Sequence, residues 1–164
     1  MQIQEIVCKM KNNRNFEIKS PCGLPKIMKE HTLPENVKKF YSMCGGVVCY
    51  VEDGGFPITI LDPLDIRLAN PVLLGKRYEE DISSSWYLVA DAEDGNYISI
   101  DFSPERLGRC YESFEYSHAI CGSCPIVAMS FTELLNNIYE YSGDYFFWKE
   151  KHIFEFYGDA YQSK

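Results

Sequence analysis

Apolar and polar residues recur with two different periods along this chain, and each period predicts its own kind of element. Helical spacing begins after Thr32 and places four residues on one face: Val37, Phe40, Tyr41 and Cys44. We expect a helix with Thr32 as its N-cap, with Pro34 in its first turn, and with Gly45 and Gly46 at its end. Residues 47–51 then predict a strand.

A second helix has a stronger start signal. Ser130 and Glu133 have the spacing of a capping box, and Met129 and Leu134 are placed as a hydrophobic staple. Gly143 is expected to end this helix. Its spacing predicts a buried stripe of four residues: Phe131, Leu134, Leu135 and Ile138.

A period of two dominates residues 86–102, where two β-rich runs flank a turn that contains Asp94 and Gly95. Further strands are expected at 109–114 and, as an edge strand, at 125–129. Prolines 57, 63 and 71 predict short strands or turns within 58–75. The aromatic residues of 144–161 are expected to cover a sheet edge or an end of the core. The pattern predicts an α+β fold, with helices packed around a mostly antiparallel central sheet.

The length of 164 residues and the 46% apolar content fit a single domain over residues 1–164. Apolar residues never run together for the roughly 18 positions that a membrane-spanning helix needs. The N-terminal segment also lacks the features of a signal peptide, so we expect a cytoplasmic protein. The seven cysteines are odd in number and irregularly spaced, and we expect most of them to be reduced.

Charge is distributed unevenly around the total of −8. Residues 1–51 carry a net +4, residues 52–105 a net −9 and residues 106–164 a net −3. An acidic middle third argues against nucleic-acid and membrane binding and favours a basic protein partner. We expect its exposed carboxylates to bind that partner, and their reversal to leave the fold intact. The six candidate residues are Glu79, Glu80, Asp81, Asp91, Glu93 and Asp94.

Motifs for enzyme chemistry are missing from the sequence: it has no Walker pattern, no GxGxxG, no GxSxG and no HExxH. The strongest remaining set is Cys110, His118, Cys121 and Cys124, which includes CxxC spacing used in thiol exchange and zinc binding. The ligand spacing is irregular for zinc, and an apolar strand-like run follows Cys124 where a redox motif would have a helix. We therefore expect a structural role for this set, and no catalytic residue, metal or cofactor.

Three segments resemble one family, the SUKH superfamily of bacterial toxin-immunity proteins and fungal cell-wall synthesis regulators. Residues 33–51, LPENVKKFYSMCGGVVCYV, match its Leu-Pro, Phe-Tyr and Gly-Gly pattern. Residues 86–114 are similar to its central hairpin with an Asp-Gly-Asn turn. Residues 126–148 are similar to its closing Ser-Phe-x-x-Leu-Leu helix.

The resemblance implies an α+β fold and a non-catalytic role. Its typical members are immunity proteins, or antitoxins, that bind and neutralise a cognate polymorphic toxin, often a nuclease. The alternative that the resemblance implies is a regulatory scaffold for proteins of cell-wall synthesis. It supplies no shared catalytic residue, so the expected interface rests on charge alone.

Overall fold

The computed structural model describes residues 1–52, 54–141, 146–149 and 157–162. The helices among them are α1 Ile3–Lys11, α2 Glu35–Met43, α3 Ala69–Leu74 and α4 Phe131–Glu140. The strands are β1 Phe16–Ile18, β2 Val47–Cys49, β3 Ile58–Ile60, β4 Trp86–Asp91, β5 Asn96–Asp101, β6 Cys110–Phe114 and β7 Ile126–Ala128. Short 3-10 turns are formed by Ile82–Ser85, Pro104–Arg106 and Phe147–Lys149.

The seven strands form one sheet in chain order, and every neighbouring pair is antiparallel. The predicted α+β fold with an antiparallel sheet is therefore confirmed. Because each strand reverses direction, its connections emerge alternately at two ends of the sheet. We call one of these the hairpin end; its loops are 12–15, 50–52 with 54–57, 92–95 and 115–125. The last of these begins beside the 92–95 turn and then folds back over the second sheet face, where His118 contacts Asn70 of α3. The other end of the sheet we call the opposite end.

The main core lies between one face of the sheet and helices α1, α2 and α4. Side chains alternate along each strand, so Tyr87 and Val89 of β4 point into this core. Ile98 and Ile100 of β5 are fully buried in it. The predicted α4 stripe is also confirmed, because all four of its residues have no exposed surface: Phe131, Leu134, Leu135 and Ile138.

A smaller layer covers part of the other sheet face. Trp86 lies there, stacked on Tyr111 with ring centroids 4.1 Å apart. Ala69 of α3 and part of the C-terminal segment 157–162 pack against these rings. That segment also covers the outer edge of β7, where Ile126 N donates to Gly158 O at 2.9 Å. Both faces of the sheet are thus buried near its opposite end.

The start of α4 follows the predicted capping box closely. Ser130 Oγ accepts a hydrogen bond from Glu133 N at 3.1 Å. The Glu133 carboxylate accepts one from Met129 N at 2.8 Å, one residue before the expected partner. Glu133 also accepts a hydrogen bond from Tyr157 of the C-terminal segment. The predicted helix end at Gly143 lies outside the described residues, and α4 ends at Glu140.

The start of α2 differs from the prediction. Its N-cap is Pro34, with φ −61° and ψ 148°, and not Thr32. A proline restricts the residue before it to extended conformations, so the helix cannot include Leu33. Gly46 has a φ of +113°, but neither glycine continues α2 into a left-handed cap, since Cys44 is already extended. A Cβ on Gly46 would lie 2.5 Å from Ile60 O, so this glycine lets strands approach closely.

Segment 58–75 contains β3, as predicted, but it also contains helix α3, which the prolines had argued against. Pro71 is the third residue of α3. At that position the backbone N–H would have no acceptor within the helix, so proline costs little. Helix α1 was not predicted at all. The predicted aromatic cover is found at Phe146, Phe147 and Trp148, which are buried, while 150–156 lie outside the described residues.

A buried carboxylate ties the opposite end of the sheet together. Asp101, with no exposed surface, accepts hydrogen bonds from Ser85 Oγ at 2.7 Å and Ser103 N at 2.8 Å. Its other oxygen accepts from Trp86 Nε1 at 3.2 Å and Arg106 Nε at 2.9 Å. These partners come from β4, the loop before it and the turn after β5, so one side chain fixes three segments.

Candidate partner-binding surface

The six acidic residues expected to bind a partner fall into two groups that the fold separates. Residues 79–81 precede β4, and the 91–94 turn follows it. Strand β4 has six residues, which corresponds to roughly 17 Å of extended chain. The first group therefore lies at the opposite end and the second at the hairpin end. They do not form one continuous surface.

The first group lies among residues of both charges. Glu79 is exposed but has Arg77 Nη1 3.4 Å from its carboxylate. Arg77 Nη2 also pairs with Glu30 at 3.0 Å. The loops of the opposite end, 19–34, 44–46, 61–85 and 102–109, contain seven acids and eight Lys or Arg, a net charge of +1. Glu79 is thus paired with Arg77, and the loops around Glu79 and Glu80 have no acidic excess.

Asp81 has a structural role that its sequence position does not indicate. Its carboxylate caps the 3-10 turn by accepting from Ser83 N at 2.8 Å and Ser83 Oγ at 2.5 Å. Tyr161 Oη donates to the same oxygen at 2.7 Å. Burial raises the pKa of Asp81, but the hydrogen bonds from Ser83 and Tyr161 outweigh it and leave the pKa below its usual value. The expectation of a freely exposed charge is therefore wrong for Asp81, because its carboxylate is needed to order this turn.

The second group forms the tip of the β4–β5 hairpin, as predicted. Asp91 Oδ1 accepts from Glu93 N at 2.7 Å, which closes the turn. Glu93 and Asp94 then adopt left-handed backbone conformations, with φ of +64° and +54°, and their side chains are exposed. Glu115 lies beside the turn, since its N donates to Gly95 O at 2.9 Å. Three carboxylates are thus displayed close together.

The described loops of the hairpin end are acidic, and the nearby Lys149 beside Phe114 is already paired with Glu112 at 2.6 Å. These loops contain four acids, Glu52, Glu93, Asp94 and Glu115, and one base, Arg14, a net charge of −3. The opposite end, by contrast, has nearly equal numbers of acidic and basic residues. Of the two predicted groups, the hairpin group therefore has the surroundings that attract a cation.

A row of side chains extends from this turn across the uncovered part of the second sheet face. Register places Tyr97 opposite Asp91, and Asp91 opposite Thr59. The row continues through Val48 to Glu17 on the edge strand β1. Glu17 is exposed and the other four are half-buried. Neither Glu17 nor Tyr97 was predicted as a binding residue; only the strand register brings them next to Asp91.

The cysteine and histidine set is not assembled into one site. Cys110 is buried in the main core, whereas Cys124 packs on the other sheet face and Cys121 is exposed. Burial raises the pKa of Cys124 to about 11, so its thiol is protonated at neutral pH and is a poor nucleophile. Within the described residues, no group of three or more His, Cys, Asp or Glu could hold a metal ion.

His118 belongs to a buried polar network. Its Nε2 lies 2.7 Å from Asn70 Oδ1, and Asn70 Nδ2 donates to Ser83 Oγ at 2.9 Å. Because the Asn70 amide nitrogen is used as a donor, its oxygen accepts from His118 Nε2–H. Burial lowers the pKa of His118 to about 4, although Asp81 acts in the other direction. The imidazole is therefore neutral at physiological pH.

This pKa predicts a pH dependence of stability. The unfolded chain binds a proton at His118 below about pH 6.5, whereas the folded chain resists protonation until about pH 4. The contribution of His118 to the free energy of unfolding should therefore have its full value above about pH 6.5 and decrease as the pH falls below that. Between pH 7 and pH 4.5 the loss from this residue should be about 2 kcal/mol. Urea unfolding at the two pH values measures it.

His118→Gln is the control for this prediction, because its amide N–H can still donate to Asn70 but does not titrate. The variant should lose less stability between the two pH values than the wild type. Equal losses in both proteins would show that other groups cause the whole effect.

Comparison with known proteins supports the resemblance drawn from the sequence. The family model described as SMI1 / KNR4 family (SUKH-1) matches residues 28–137. The chain is also 38% identical to a Bacillus subtilis (strain 168) protein named Immunity protein YokJ. The matched 161 residues are 98% of this chain and 96% of the relative. No solved structure matches. No helix among the described residues is long and apolar enough to cross a membrane. The chain belongs to the SMI1/KNR4 family, SUKH-1.

Proposed function

We propose that this protein is an immunity protein, or antitoxin, which binds a cognate toxin and neutralises it without catalysis of its own. The observation that carries the proposal is the 38% identity over nearly the whole chain to a relative named an immunity protein. Such a span includes the strands, helices and loops alike. The binding surface of the relative therefore has a counterpart in this chain.

We further propose that the toxin domain is basic and of the nuclease type. Enzymes that act on nucleic acid need cationic clefts, and an acidic inhibitor is steered to such a cleft by long-range attraction. The described loops of the hairpin end, with a net charge of −3, support this proposal. Because nucleic-acid targets of such a toxin lie in the cytosol, we place the interaction there.

A growth assay tests this function directly. The first step is to look for a toxin-like reading frame next to this gene and to express it in a host cell, alone and together with this protein. We expect arrest in the first case and growth in the second, with the two proteins purifying as a complex. Growth arrest that this protein does not relieve would contradict the proposal. A role as a scaffold of cell-wall synthesis instead predicts altered wall integrity after deletion of the gene, with no toxin involved.

The acidic residues make a prediction about association rate. Glu93 and Asp94 are exposed at the hairpin tip, so reversing both to Lys should slow association with the toxin at least tenfold at low salt. Most of the salt dependence of the rate should disappear with them. Stopped-flow fluorescence at two salt concentrations measures both quantities.

The fold offers matched controls for this experiment. Reversal of Glu79 and Glu80 also removes two exposed acids, but from surroundings of net charge +1, and should have a smaller effect. Reversal of Lys38 and Lys39 in α2 should leave the rate unchanged or raise it. Asp81 is left unchanged because it caps a turn. Equal rates for wild type and the Glu93/Asp94 variant would contradict the proposal that these carboxylates attract the toxin.

A further inference from the structure

Two large apolar side chains of loop 115–125 are highly exposed. Apart from these two, only Leu64 among the described large apolar residues is more than half exposed, at 74%. Tyr116, in the loop between β6 and β7, is 89% exposed. Ile120 in the same loop is 52% exposed. Neither side chain contributes to either core cluster, so folding does not explain them. Tyrosine is one of the residues that most often carry binding energy at protein interfaces.

The loop that carries these side chains is held by buried anchors. His118 and Cys124, two and eight residues after Tyr116, are buried. His118 N donates to Phe114 O at 2.8 Å. Cys124 N donates to Asp159 Oδ1 at 2.7 Å, which ties the end of the loop to the C-terminal segment. An aromatic side chain on such a fixed loop loses little conformational entropy when a partner covers it.

The charges around Tyr116 define what kind of partner it fits. Glu115 precedes it and lies against the hairpin turn, where Glu93 and Asp94 are exposed. Loop 115–125 itself contains no Lys or Arg. The exposed Tyr78 at the opposite end has different surroundings, since Lys76 Nζ lies 4.4 Å from its ring centre. A cation is thus already present at Tyr78. Beside the strand that precedes Tyr116, Lys149 lies over the Phe114 ring and is paired with Glu112.

We infer that Tyr116 is the anchor of the toxin interface and receives a Lys or Arg side chain of the basic partner on its ring. The carboxylates of Glu115, Glu93 and Asp94 surround that cation, and Ile120 contacts the apolar part of the same surface. The attraction between a cation and an aromatic ring is strongest when binding excludes water from it. This inference rests on the proposed function and names the residues through which it acts.

The test measures affinity for the purified toxin domain that the growth assay identifies. Tyr116→Ser should weaken binding about thirtyfold, the size expected for an interface anchor. Tyr116→Phe keeps the ring and should stay within about threefold of wild type. Tyr78→Ser removes an equivalent ring at the opposite end and should bind as wild type does. Thermal melts of all variants should coincide, because Tyr116 contributes to neither core.

The outcomes separate this inference from the proposed function. If the wild type binds the toxin domain and Tyr116→Ser binds equally well, the inference is overturned and the proposed function stands. If Tyr78→Ser loses as much affinity as Tyr116→Ser, the assignment of Tyr116 as the anchor is also wrong. If the wild type does not bind the domain at all, the proposed function fails and this inference fails with it.

Discussion

Replacing Asp101 with Ala should destabilise the protein by about 3 to 5 kcal/mol, the usual cost of removing one partner from a buried ion pair. The carboxylate has no exposed surface and neutralises Arg106, whose Nε lies 2.9 Å away. Its loss also leaves the buried Trp86 Nε1–H and Ser103 N–H without their acceptor. Chemical denaturation with the tryptophan signal measures the change.

Glu105→Ala is the matched control, because Glu105 is an exposed acid four residues further along the same segment. Its effect should stay within about 0.5 kcal/mol. A cost below about 1 kcal/mol for Asp101→Ala would mean that water replaces the lost carboxylate, and that this network does not hold the opposite end together.

Leu134→Ala should cost about 2 to 5 kcal/mol. Leu134 is fully buried on the face of α4 that packs into the main core, and truncation leaves a cavity as well as lost apolar contact. Equilibrium unfolding in urea measures the loss, and the slope of the transition should not change.

The control for this helix is Glu140→Ala, an exposed position at the last residue of α4. It should change stability by less than about 0.5 kcal/mol. Similar costs at the two positions would contradict the observed helix phase.

Local signals were enough to predict the elements whose ends are fixed by local contacts. The β4–β5 hairpin and the α4 cap are examples, since Ser130 and Glu133 need only each other and their neighbours. Helix α1 has helical spacing at Ile3, Ile6, Val7 and Met10, but its N-cap residue Gln2 makes no side-chain cap, so its start lacks the signal that marks α4. Helix α3 was missed because Pro71 was interpreted as a helix breaker.

The candidate surface was less predictable because it depends on contacts between distant residues. Asp81 resembles an exposed acid in the sequence, and its partner Tyr161 lies 80 residues later. The net charge of residues 52–105 also combines acids from both ends of the sheet, so it does not reveal that the charge surrounding each end differs. The opposite end contains Lys19, Lys26 and Lys29 from the N-terminal third as well as residues 79–81, and only the sheet topology brings these loops to the same end.

The order of strands in the sheet has a consequence for how such a protein can change over evolution. Each strand pairs with its neighbours in sequence, so the loops of the hairpin end are separate pieces of chain that meet in space. Exposed loop side chains such as Tyr116 and Glu93 take no part in the core, so their substitution leaves the packing of the fold unchanged and makes these positions tolerant of variation. A lineage could therefore exchange one partner for another through successive loop mutations, without passing through unfolded intermediates.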